Sequence, residues 1–80
     1  MNPKEVSVTS MRSGQSGVVT GIAGGHEVSR RLQAMGVKTG KPITKVSGMF
    51  FWGPVTVRVG HTQLSIGHGM ASKIMVEVAE

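Results

Sequence analysis

The clearest pattern lies in the second half of the chain, where Val55, Val57 and Val59 alternate with Thr56 and Arg58. A period of two puts the valines on one face of a strand and the polar pair on the other. Gly60-His61 follows as a two-residue turn, and Leu64 and Ile66 resume the alternation. Residues 55–66 therefore predict a tight hairpin. Ile74, Val76 and Val78 alternate again and predict a last strand, with Lys73 and Glu77 toward solvent. Upstream, Gly14-Gln15-Ser16-Gly17 reads as a turn that delivers the chain into a strand from Val18 to Ala23. Pro42 fixes the entry of another strand, Ile43 to Ser47. Gly67 to Ser72 holds one helical turn with Met70 and Ala71 inward. Met11 is an apolar anchor in a short turn, and the polar residues 1–5 predict a loose end.

One stretch keeps a helical period instead. Val28, Leu32 and Met35 fall at i, i+4 and i+7, which predicts a helix from His26 to Met35. Gly25 is its expected cap, Glu27 complements the dipole in the first turn, and Gly36 sits where a left-handed residue ends a helix. About five short strands with one helix between the first and second predict a mainly β fold, a small, strongly bent antiparallel barrel. It forms a single domain over residues 1–80.

Composition supports this and narrows the function. Twelve Val and four Ile against two Leu and four Ala favour sheet over helix. With 80 residues, 39% of them apolar, the chain can close one core. It has no cysteine, which removes disulfides and thiolate metal sites. Nine Lys and Arg against four Glu give a net charge of +5, which invites nucleic acid or an anionic membrane surface. The distribution argues otherwise. Residues 1–40 carry five basic and two acidic side chains and residues 41–80 carry four and two, so neither half concentrates the charge. No leader segment and no apolar stretch of bilayer length is visible, so a cytoplasmic protein is expected.

Catalytic equipment is missing from the pattern, and a non-enzyme is expected. There is no cysteine or aspartate, no carboxylate pair at close spacing and no triad order. Gly21 to Gly25 lacks the lysine and hydroxyl that complete a phosphate loop. His26, His61 and His68 are the candidate metal ligands, and imidazole suits Fe²⁺. Their spacing gives a metal no support: His26 and Glu27 diverge around a helix, and His61 and His68 could meet across a hairpin end but make only two ligands. No cofactor is expected. Two features suit partner contact. Met49-Phe50-Phe51-Trp52 holds every aromatic residue, and four adjacent large side chains cannot all face inward from a strand. They either cap an open barrel end against Met35 or Met70, or present Phe50, Phe51 and Trp52 as a docking tip. Arg30-Arg31 is either a solvated helix face or a contact for an acidic partner.

The run Gly14-x-x-Gly17-Val18-Val19, Gly24-Gly25, Arg30-Arg31-Leu32, Met35-Gly36-Val37 and Gly40 resembles the FeoA family. The resemblance continues through Gly53-Pro54, Val55-x-Val57-x-Val59-Gly60, Leu64-x-Ile66 and Ala71-x-x-Ile74-x-Val76. The sequence departs from many members at Gly67, where a positive residue is common, and in the aromatic loop. The resemblance implies an SH3-like barrel with a helical insertion and an accessory role in bacterial ferrous iron uptake. Its implied partner is the membrane transporter FeoB, through the cytoplasmic GTPase portion, which would recruit it to the inner face of the membrane. An open sheet edge also allows self-association. The alternative is a small basic SH3-like barrel that binds RNA. Two features oppose contact with nucleic acid: the aromatics cluster in one loop, and the basic residues are scattered. Convergence of Arg12, Lys38, Lys41, Lys45 and Arg58 on one face would favour it.

Overall fold

The computed structural model describes residues 3–48 and 53–79. Among these residues six strands form one antiparallel sheet: β1 (Pro3–Ser7), β2 (Ser16–Ile22), β3 (Pro42–Gly48), β4 (Val55–Val59), β5 (Thr62–Ile66) and β6 (Ile74–Ala79). Helix α1 (Gly25–Ala34) joins β2 to β3, the short α2 (His68–Ala71) joins β5 to β6, and a single 3₁₀ turn (Val8–Ser10) follows β1. The strand order is β1-β6-β2-β3-β4-β5, which leaves β1 and β5 as edges.

The sheet curls around one core. Val8 beside β1, Ile66 on β5 and Ala71 on α2 come from its opposite ends, yet all three are buried in a single cluster with Leu32 of α1. Register shifts between Val19 and Gly21 and between Lys45 and Ser47 supply the bend, because a bulge kinks its strand and raises its twist. The expected alternation is observed. Val55 and Val57 are buried opposite Ile66 and Leu64, and Val59 pairs with Thr62 across the two-residue turn. Ile74, Val76 and Val78 all face inward, and Met11 is buried as its anchoring place requires.

α1 runs from Gly25 to Ala34, one residue earlier at each end than the pattern predicted, so that Gly24 rather than Gly25 is its cap, and Gly36 takes the left-handed conformation expected of it just beyond Met35. Gly36 has φ of +96°, its N–H donates to Gln33 O at 2.9 Å, and the Val37 N–H donates to Leu32 O at 2.9 Å. These two bonds are the paired closure of a Schellman motif, and the buried Leu32 and Val37 complete its apolar contact. A side chain at this φ is strained, so Gly36→Ala is expected to cost about 1–2 kcal/mol in urea melts.

Residues 3–5, expected to be loose, are ordered in a strand. Residues 3–7 form β1, with Lys4 opposite Val78 and Val6 opposite Val76, and the sheet has six strands rather than about five. An edge strand can be held by its main-chain ladder with one face in solvent, so a polar sequence with a single inward Val6 suffices. Outside the ladder, Thr20 donates its hydroxyl proton to Glu5 Oε2 at 2.6 Å, bridging β2 to β1 over β6.

Candidate functional site

Helix periodicity places the two adjacent arginines differently. Leu32 of α1 is buried, with Val28 and Met35 packed beside it. Arg31 stands three residues before Ala34 and four before Met35, so these share one flank of the helix. That flank faces Ser65, Ile66 and Gly67 at the end of β5, and Met70 of α2. The result is an open groove of about 380 Å³. Ile66 is buried, and Met35 and Met70 pack partly on the core, so the groove is largely apolar. Arg31 is the one charged group among the described residues that line it. Arg30 is exposed and lies outside the groove. Ala34 and Ser65 carry no chemistry that sequence inspection singles out, and Gly67 stood out only as a departure from the positive residue common in the family. Arg31 was marked in the sequence only together with Arg30, as an adjacent basic pair.

The other basic residues do not form one patch. Lys38 and Lys41 line a depression of about 520 Å³ with His61 beside the β4–β5 turn. Arg12 lines a different one with Lys4, and Arg58 points outward from β4. Lys45 is largely buried, being only 7% exposed. Its Nζ donates to Met11 O at 2.7 Å and to Thr9 O at 3.2 Å. Its main chain accepts from Gly14 N–H at 2.6 Å and donates to Gln15 O at 2.9 Å. Desolvation lowers its pKa below the usual 10.5 of a lysine. Lys45 thus fastens the 9–15 loop to β3, and the five cations weighed for phosphate contact do not converge.

The histidines are similarly dispersed. His61 and His68 flank the whole of β5, whose five residues span roughly 15 Å, so they do not meet at a hairpin end. His26 is exposed at the start of α1. Among the described residues no three His, Cys, Asp or Glu side chains group as metal ligands would. No helix there is long and apolar enough to cross a membrane. Phe50, Phe51 and Trp52 lie outside the described residues.

This curled antiparallel sheet, with a helix inserted between its second and third strands and an apolar groove beside that helix, is an SH3-like module. The same architecture occurs in the Stenotrophomonas maltophilia FeoA complexed with zinc, described as a prokaryotic SH3 domain protein. That likeness has a TM-score of 0.77 at 24% identity over 89% of this chain and 88% of that one. Residues 6–78 match the FeoA domain, and the chain belongs to the FeoA family. A Methanocaldococcus jannaschii protein provisionally named Fe(2+) transport protein A is 33% identical over 69 residues, 86% of this chain and 82% of its own. The crystal structure of an iron uptake regulatory protein, FeoA, superposes with a TM-score of 0.84 at 33% identity, covering 94% of this chain and 99% of that one.

Proposed function

We propose that this protein is a non-catalytic accessory factor of ferrous iron uptake that binds the cytoplasmic portion of FeoB and modulates it. The observation that carries the reading is the groove between α1, β5 and α2. It is an apolar surface with one cation, in a chain of the FeoA family. A surface of that kind suits a protein segment, since apolar contact supplies affinity and a single charge at the rim supplies orientation. The names of the relatives, which speak of Fe(2+) transport and iron uptake regulation, supply the process. The reading needs no resident cofactor, and the protein would work where its membrane partner holds it.

Phe51 and Trp52 we assign to contact with FeoB from the sequence pattern alone, since four adjacent large side chains cannot all face inward from a strand. Exposed Trp and Phe side chains often dominate protein interfaces, each contributing about 2 kcal/mol or more. Changing Phe51 and Trp52 together to Ser is expected to weaken capture of FeoB at least about tenfold while the melting curve stays in place. Undiminished capture would remove the loop from the interface.

A further inference from the structure

The two edges of the sheet are built differently. β1 opens on Pro3 and carries Lys4 and Glu5, and proline and charge are the devices that stop an edge from accepting another strand. β5 reads Thr62-Gln63-Leu64-Ser65-Ile66, with no proline and no charge. Its main chain is available at two positions. In a two-residue hairpin the residues flanking the turn exchange both hydrogen bonds, and the pattern then alternates. Thr62, Leu64 and Ile66 therefore bond to Val59, Val57 and Val55. The N–H and C=O groups of Gln63 and Ser65 point away from β4, toward the open edge.

Ser65 is also where this edge meets the groove. This ladder, without a partner among the described residues, thus runs alongside the apolar surface of Met35 and Met70, with the α1 flank as the opposite wall. A strand-and-helix groove of this form is how β-strand addition modules take an extended peptide: main-chain bonds give affinity and alternate side chains enter the groove. Charge selects the occupant. A second copy would bring another net +5 surface and another Arg31 to the same seam, and like charges oppose that pairing. An acidic segment relieves it.

We infer that β5 accepts an extended, acidic partner segment as a seventh strand, laid between β5 and α1. An apolar side chain rests against Met35 and Met70, and a carboxylate meets Arg31. The inference rests on the reading of the chain as a binding partner of FeoB and specifies the mode of contact.

Two measurements separate the inference from that reading. In the first, the ¹⁵N-labelled protein is titrated at low salt with a short synthetic peptide alternating Glu and Val, and with its Lys and Val counterpart. The amide signals of Gln63, Ser65 and Gly67 are expected to shift with the acidic peptide, which binds at least about tenfold more tightly than the basic one. Ser65→Pro should abolish the shifts yet keep the fold, because the lost N–H makes no ladder bond. Arg31→Glu, which leaves the strand untouched, should reverse the peptide preference. In the second, wild type and Ser65→Pro are compared in capture of the FeoB cytoplasmic portion, with loss of capture by the variant expected. Equal capture by both, or the absence of shifts at Gln63 and Ser65, overturns the inference. Peptide shifts without any capture by wild type would support the edge and overturn the FeoB reading instead.

Discussion

Gly17→Ala is expected to destabilise the domain by about 3 kcal/mol, which for a chain of this size lowers the melting temperature by roughly 10–20 °C. Gly17 sits on β2 where it crosses β6, with no room above its Cα. A methyl group there would lie 2.5 Å from Glu77 O, 2.5 Å from Val76 Cγ1 and 2.9 Å from Val78 Cγ1. The nearest obstacle is backbone, which cannot rotate away, and the two valines are buried on both sides of it. Relief requires β2 and β6 to part, and these strands hold the middle of the sheet. Gly21 on the same strand is the matched control. A methyl group there meets nothing within 4 Å, so Gly21→Ala should leave the melting temperature unchanged or raise it slightly. Thermal melts of the two variants check the contrast, and equal shifts would contradict it.

The second large effect belongs to Lys45→Met, expected to lose about 2–3 kcal/mol. Methionine keeps an apolar stem but removes the donor for Thr9 O and Met11 O, and hydrogen bonds from a charged donor are worth more than neutral ones. Part of the loss is returned, because the desolvated ammonium disappears as well. The pH dependence has a definite sign. Burial lowers the folded pKa of Lys45 beneath its unfolded value of 10.5, so between the two the unfolded chain binds more protons. Stability from this group therefore rises with pH through that window and levels off above 10.5. The neutral amine still donates to both carbonyls. Urea melts of wild type and variant at neutral and alkaline pH should show the gap between them widening as pH rises. A narrowing gap would mean that the ammonium is not desolvated.

Both effects show where the sequence was readable and where it was not. The hairpin of residues 55–66 and the last strand were legible because their valines and isoleucines alternate without interruption. The end of α1 was legible because only glycine suits the conformation that Gly36 adopts. β1 escaped because its one inward apolar residue, Val6, sets no period. Gly17 read as part of a turn, since close approach of β6 depends on a pairing sixty residues away in sequence. Lys45 was grouped with surface cations, although it stands two residues after Ile43 and period two puts both on the buried face. In the candidate site, the sequence marked Arg31 only as a pair with Arg30, and the two part company once α1 is set beside β5. Ser65 could not be found from the sequence, because the groove arises from the packing of α1 and α2 beside an edge strand.

The most direct test of the accessory role is calorimetric titration of the purified protein with the cytoplasmic portion of FeoB, paired with amide hydrogen exchange on the complex. Saturable binding that slows exchange at Gln63, Ser65 and along the α1 flank bearing Arg31 is the predicted result. Absence of binding heat, with exchange unchanged across the molecule, would contradict it.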